Sequence, residues 1–234
     1  MKFDADKNPL YVIGFAAVLS GVFTGAIMAL HVATEPIVAA NEKLLEEKAL
    51  VDLFDLGDVE TLSGERIAEL YRNRIRRTTI NPGTDEEMEL LVAFDSDQPP
   101  DAGGDVLGRP GVKAYAFPIE GIGFWAMIRG YLAVTPDLTR ATGVVFLQHS
   151  ETPGLGGRIT EKQWRDRFKG LPVTPPPAGM KYIYIQNDPP ADPKKRERYV
   201  DAITGATGTS TAVGKFVNVD LARFRAAAKK AGLI

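Results

Sequence analysis

Residues 123–149 read GFWAMIRGYLAVTPDLTRATGVVFLQH and contain two apolar runs separated by turn-forming residues. The first run, GFWAMIRGYLAV, ends at Val134, and the second, GVVFLQH, begins at Gly143. A third run, VKAYAFPI, starts at Val112, and a fourth, KYIYIQ, occupies 181–186. Short runs rich in β-branched and aromatic residues between turn signals are typical of strands. Their close succession along the chain predicts an antiparallel sheet.

A helix is predicted after these strands, from Thr209 onward. Its apolar residues recur at intervals of three and four, which places them on one helical face. They are Val213, Phe216, Val217, Leu221 and Phe224. A helix packed by one face on an antiparallel sheet defines an α+β domain.

The N-terminal stretch from Leu10 to Val32, LYVIGFAAVLSGVFTGAIMALHV, carries no charged residue. It exceeds the ~20 apolar residues that cross a lipid bilayer as a helix. A cleaved signal peptide has a shorter apolar core and a small-residue cleavage site, so the stretch is interpreted as one transmembrane anchor. Lys2 and Lys7 precede it and the nearest downstream lysine is Lys43, which favours a cytoplasmic N-terminus and an extracytoplasmic C-terminal domain.

Composition excludes several classes of function. The formal net charge of -2 gives no general attraction to nucleic acid, so no nucleic-acid partner is expected. The absence of cysteine excludes disulfides, thiolate chemistry and cysteine-ligated metal centres, and two histidines are too few for a histidine-rich metal site. Redox chemistry would therefore require an organic cofactor or a metal bound jointly with a partner.

The first segment that could carry chemistry is DAITGATGTS, from Asp201 to Ser210. Small residues and hydroxyls directly before a helix leave backbone N–H groups free, and the field at a helix N-terminus favours an anion such as phosphate. A purely structural alternative stays open, in which Thr209 or Ser210 caps the helix while Gly205 and Gly208 form the turn.

The second segment is HSETPGLGG, at His149–Gly157, which directly follows an apolar run. A glycine-rich loop after a strand can bring backbone amides against a planar ligand, and Leu155 could cover a face of that ligand. An ordinary turn at the end of a strand explains the same composition.

Together these segments resemble an FMN-binding family that serves as the C subunit of the sodium-translocating NADH:quinone oxidoreductase and as the G subunit of the Rnf ferredoxin:NAD oxidoreductase. The resemblance rests on the single N-terminal span, on ETPGLG at 151–156 and on the D-x-x-[ST]-G-A-T motif ending at Thr207. It extends through most of residues 110–225 and is closer to the quinone-reductase protein. Thr204 and Gly208 depart from the residues usual in the family.

The resemblance implies a covalent flavoprotein in which FMN is esterified through its phosphate to Thr207. Such a subunit relays electrons inside an ion-translocating complex of the bacterial or archaeal cytoplasmic (inner) membrane and has no complete activity alone. The implied partners are the other membrane subunits, the lipid bilayer and a flavin transferase that uses FAD. No catalytic or metal-binding residue is expected. The cofactor-binding residues implied are Thr207, Thr204, Gly205, Ala206, Thr209, Ser210, Glu151, Thr152, Gly154, Leu155 and Gly156.

The residue patterns also predict a division of the chain. Residues 1–33 would form the transmembrane anchor, and residues 34–110 a connecting helix and a membrane-proximal region that includes an exposed loop at 95–105. Residues 111–234 would form an α+β FMN-binding domain. His149 would help to position the ETPGLG loop or modulate flavin protonation, or it would serve only as a structural histidine.

Two other functions remain open at this point. The first is a membrane-anchored extracytoplasmic module that binds a phosphorylated ligand noncovalently, or that serves only in assembly. The second is a hydrolase that uses Ser150 or Ser210. Neither serine lies in a G-x-S-x-G elbow, which disfavours the hydrolase.

Overall fold

The structure is a computed structural model that describes residues 9–97 and 107–234. Lys2, Lys7 and the part of the predicted loop beyond residue 97 lie outside the described residues. The chain divides into two compact units, Met1–Leu45 and Glu46–Ile234.

The chain begins with one long helix, α1 (Pro9–Leu53), which contains Pro36. Its apolar side chains between Leu10 and Val32 are exposed, as expected for a segment that lipid would surround. By length and composition α1 is a candidate membrane span. This agrees with the predicted N-terminal anchor.

A five-stranded antiparallel sheet forms the centre of the second unit, as predicted. The helix α2 (Gly64–Arg74) leads into it. The strands pair in sequence order and are β1 (Ile75–Ile80), β2 (Met88–Phe94), β3 (Val112–Ile122), β4 (Met127–Val134) and β5 (Ala141–Gln148). The boundary predicted at residue 111 therefore falls between β2 and β3, which pair with each other. Two strands of the sheet come from the segment assigned to the membrane-proximal region.

The elements after β5 are short, apart from the last. A 3-10 turn (Gly156–Thr160) precedes α3 (Lys162–Arg165), and a second 3-10 turn spans Asp166–Phe168. Then follow β6 (Tyr184–Gln186), α4 (Pro193–Arg196), β7 (Tyr199–Asp201) and α5 (Thr207–Lys230). The strand predicted at 181–186 is therefore shorter than expected, and it pairs in parallel with β7 rather than joining the main sheet.

The main sheet separates two hydrophobic cores because successive side chains of a strand point to opposite faces. Leu90 and Val92 of β2 belong to the core that includes α5, where the rings of Phe117 and Phe224 stack with centroids 4.1 Å apart. Leu91 belongs to the core formed with α2 and the end of α1. The sheet is thus covered on both faces, and α5 brings its first turn to the end of the β3–β4 hairpin.

Candidate functional site

Three chain segments meet around a cavity of about 230 Å³. They are the turn Gly123–Ala126 between β3 and β4, hereafter the aromatic turn, the loop that follows β5, and the first turn of α5. We call this cavity the groove. Its lining residues are Phe124, Trp125, Glu151, Thr152, Leu155, Gly156, Gly205, Ala206, Thr207, Gly208 and Thr209.

A buried carboxylate joins the three segments. Glu151 is only 4% exposed. Its Oε1 accepts hydrogen bonds from the backbone N–H groups of Phe124 (2.8 Å) and Trp125 (3.1 Å). Its Oε2 accepts one from the hydroxyl of Thr209 (2.6 Å). Burial of a charged group is costly unless hydrogen bonds satisfy it, and here each oxygen has a partner.

The hydroxyls of the predicted motif differ in accessibility. Thr209 and Ser210 are 3% and 1% exposed, and both hydroxyls are engaged inside the protein. Thr209 donates to Glu151, whereas Ser210 Oγ accepts from the N–H of Ile203 at 3.0 Å. Thr207 is exposed and lines the groove. Of these three hydroxyls, that of Thr207 is the one that a reagent or ligand in the groove can reach.

The first turn of α5 provides a site for an anion. Gly205 has φ +81°, a conformation that favours glycine, and it turns the chain into the helix. Ala206 occupies the N-cap position, where its methyl side chain cannot accept a hydrogen bond from the helix amides. The first N–H groups of a helix lack intrahelical partners, and the helix dipole favours negative charge near them. Thr209 and Ser210 lie inside the helix and are not its cap.

Thr204 is close to Thr207 in sequence but lies beside a different cavity. That smaller cavity is lined by Thr204 together with Arg158, Arg167 and Asp201. Arg167 donates a hydrogen bond to Asp201 at 2.7 Å, which lowers the pKa of that carboxyl. Of the predicted cofactor-binding residues, Thr204, Ser210 and Gly154 do not line the groove.

His149 lies just outside the groove and is half-buried. Its Nδ1 accepts a hydrogen bond from the N–H of Glu151 at 3.2 Å, so the proton of the neutral ring is on Nε2. This contact fixes the start of the ETPGLG loop. The geometry supports a positioning contact for His149.

Two aromatic residues of the groove, Phe124 and Trp125, are not among the predicted cofactor-binding residues. Their side chains are 62% and 67% exposed and meet edge to face with centroids 5.2 Å apart. A Cβ at Gly208 would lie 2.6 Å from the Phe124 ring, so the absence of a side chain there lets the ring rest on α5. Two adjacent aromatic residues at a turn between strands were the available signal.

Comparison with known proteins identifies the domain. Residues 123–221 match the family described as FMN-binding domain. This part of the chain is an FMN-binding domain. The matched range contains all three segments of the groove, and the predicted resemblance to FMN-binding proteins of this kind is confirmed.

Two curated relatives of the FMN-binding domain extend the comparison. The C subunit of the Na(+)-translocating NADH-quinone reductase of Pseudomonas aeruginosa is 25% identical over 92% of this chain and 91% of its own. The protein of the same name from Chlamydia trachomatis is 33% identical over 49% of this chain and 40% of its own. The similarity to the first of these relatives therefore includes the N-terminal helix as well as the FMN-binding domain.

Two crystal structures show the same fold. Shewanella oneidensis NqrC has a TM-score of 0.59 at 21% identity, covering 78% of this chain and 93% of its own. The C subunit of the Na(+)-translocating NADH-quinone reductase of Parabacteroides distasonis has a TM-score of 0.60 at 19% identity, covering 80% and 94%. At these identities the likeness establishes the fold.

Proposed function

We propose that the protein is an electron-carrier subunit of a sodium-translocating NADH:quinone reductase, with FMN attached through its phosphate to Thr207. The observation that carries this proposal is the exposure of the Thr207 hydroxyl in the groove, while the neighbouring Thr209 and Ser210 hydroxyls are buried and hydrogen-bonded. Attachment at one hydroxyl among several requires such a difference in access.

The residues around the groove fit the parts of FMN. A phosphate on Thr207 would lie in the favourable field at the start of α5. Trp125, Phe124 and Leu155 offer exposed apolar surface beside it, which suits a planar aromatic ring. The flavin would supply the capacity to accept and release electrons. The protein holds it, shields it and sets its surroundings.

Attachment would proceed as a phosphoryl transfer from FAD by a flavin transferase. The Thr207 oxygen forms a bond to the flavin-side phosphorus, the pyrophosphate bond breaks, AMP leaves and the hydroxyl proton passes to a base of the transferase. No electron is gained or lost. Gly205 and Gly208, on either side of the Ala206–Thr207 pair, leave the hydroxyl open to such an enzyme.

The proposal includes a location. The apolar part of α1 would anchor the protein in the bacterial or archaeal cytoplasmic membrane, with the FMN-binding domain on the extracytoplasmic side. The partners would be the other membrane subunits of the complex, because a bound flavin that relays electrons needs a donor and an acceptor within reach. Similarity along most of the chain to the Pseudomonas aeruginosa protein favours the quinone reductase over the Rnf complex.

Mass spectrometry of the denatured protein from its native membrane tests this proposal. We expect the peptide containing Thr207 to carry the mass of FMN minus water, and Thr207→Ala to lose it. Thr211→Ala is the matched control, because Thr211 is also exposed on α5 but lies outside the groove. An unmodified Thr207 peptide from an active complex would refute covalent attachment and favour a noncovalent binding or assembly module.

A further inference from the structure

The carboxylate of Glu151 lies in a space made by two glycines. A Cβ at Gly156 would lie 2.5 Å from Thr209 Oγ1 and 2.6 Å from Glu151 Oε2. A Cβ at Gly123 would collide with Glu151 Oε1. The backbone on both sides therefore approaches this carboxylate more closely than any side chain would permit.

The donors to Glu151 come from two segments that are far apart in sequence. The N–H groups of Phe124 and Trp125 are successive, and successive backbone N–H groups at a turn form a concave site for an anion. The third donor, Thr209, lies on α5. These three contacts, which we call the Glu151 clamp, connect the aromatic turn to the helix that carries Thr207.

A second contact reaches the aromatic turn from the same loop. Trp125 Nε1 donates to Thr152 Oγ1 at 3.2 Å, but this bond holds only the exposed indole ring. The backbone of the turn is held by its own closing bond, from Gly123 N–H to the Ala126 carbonyl at 2.8 Å, and by the clamp. Of these contacts, the clamp alone joins the backbone of the turn to the loop and to α5.

We propose that Glu151 is a positioning residue that fixes the aromatic turn against the first turn of α5 and so shapes the groove before any ligand binds. Both oxygens of the carboxylate already accept hydrogen bonds from the protein, so Glu151 holds the two segments together in the chain without a bound flavin. Its relevance to the flavin rests on the proposed function, but the clamp itself is a property of the unmodified chain.

The test uses the full-length protein in detergent with Thr207→Ala, so that no covalent flavin is present. The mobility of Trp125 is measured by time-resolved fluorescence anisotropy. The signal of Trp164, the other of the two tryptophans, is identified by repeating each measurement with Trp125→Phe. Because this form carries no covalent flavin, the anisotropy experiment tests the Glu151 clamp alone. Attachment of FMN is tested separately by mass spectrometry.

We expect Glu151→Ala to increase the amplitude of fast Trp125 motion roughly twofold, since loss of local contacts raises nanosecond mobility. Glu151→Gln should restore the original value because its amide oxygen accepts from the same N–H groups. Glu120→Ala is the matched control: Glu120 lies on the same hairpin but is exposed and paired with Arg129. It should leave the anisotropy of Trp125 unchanged.

Thr152→Val removes the hydrogen bond to the Trp125 indole and leaves the Glu151 clamp intact. It should therefore increase the mobility of Trp125 less than Glu151→Ala does. An equal or larger effect of Thr152→Val, or an unchanged anisotropy in a folded Glu151→Ala protein, would overturn the proposal.

Hydrogen exchange gives a second measurement if Glu151→Ala fails to fold. The amides of Phe124 and Trp125 should exchange at the original rate in Glu151→Gln and roughly tenfold faster in Thr209→Val, because loss of one clamp contact lets the site open more often. Unchanged exchange in Thr209→Val, or fast exchange in a folded Glu151→Gln protein, would show that the clamp does not hold the turn.

Discussion

Two carboxylates of the protein, Glu151 and Glu89, are each held by several hydrogen bonds, but by donors of different kinds. All donors to Glu151 found within the described residues are neutral, and two of them are backbone amides. Glu89 instead accepts from the Tyr131 hydroxyl at 2.7 Å and pairs with Arg77 at 3.1 Å. Arg77 also pairs with Glu46, near the end of α1, at 2.9 Å.

This difference between neutral and charged donors determines how each region responds to salt. Ion pairs between partly exposed groups contribute little and weaken with salt. Hydrogen bonds from buried neutral donors do not depend on a counter-charge, and their loss leaves unsatisfied groups. The groove is therefore held by contacts that ionic strength does not change, whereas the network around Glu89 is sensitive to salt and pH.

The largest effect is expected from Gly156→Ala, which places a methyl group between Glu151 and Thr209. Overpacking of this kind costs up to about 3 kcal/mol of the free energy of unfolding, and this site is tightly packed on both sides. Denaturant titration of the full-length protein in detergent measures it. Gly214→Ala in α5 is the control, because its added Cβ would meet Ile185 at an ordinary 3.4 Å and stability should stay level or rise.

Glu151→Ala should lower the free energy of unfolding by about 2 kcal/mol, because it leaves two amide N–H groups and a buried hydroxyl without their acceptor. The same denaturant titration measures the loss at low salt and at roughly 1 M salt, where exposed charges are screened. We expect equal losses under both conditions. A loss confined to low salt would mean that Glu151 acts through its charge.

Glu89→Ala should have a smaller effect of about 1 kcal/mol, since its partner Arg77 is 45% exposed at the side chain. Here the loss should shrink at high salt, in contrast to Glu151→Ala. A salt-independent loss would contradict the difference drawn between the two carboxylates.

Tyr131→Phe should have the smallest effect on the free energy of unfolding at neutral pH. Its effect should become measurable at alkaline pH. Burial, together with the bond to Glu89, raises the pKa of Tyr131 above its ordinary value near 10. The resulting stabilisation is complete below pH ~10 and is lost as pH rises through the folded-state pKa. Wild-type stability should therefore fall above pH ~10, and Tyr131→Phe should flatten that fall. Parallel pH profiles of the two proteins would refute this.

Sequence patterns were sufficient for the strands with clear apolar runs and for α5, but not for β1 and β2. In β2, MELLVAF is buried on both faces, so it lacks the alternation that marks a half-buried strand. In β1, IRRTTI alternates, yet it carries two arginines directly after a helix that also ends in arginine. Because of these features, sequence patterns did not predict β1 and β2.

The motifs were located by sequence, but their spatial arrangement was not. Thr204 and Thr207 are three residues apart, yet the left-handed turn at Gly205 directs them to different cavities. The approach of the aromatic turn to α5 depends on contacts between residues that are distant in sequence, such as Gly208 and Phe124. Local patterns carry no information about such contacts.

The order of the strands also has a consequence for biosynthesis. Each of the strands β2 to β5 pairs with the one made just before it, so the sheet can assemble as the chain emerges. The groove requires α5, which follows all of these strands along the chain. A nascent chain that ends between β5 and α5 therefore contains all five strands of the sheet but lacks Thr207 and the groove.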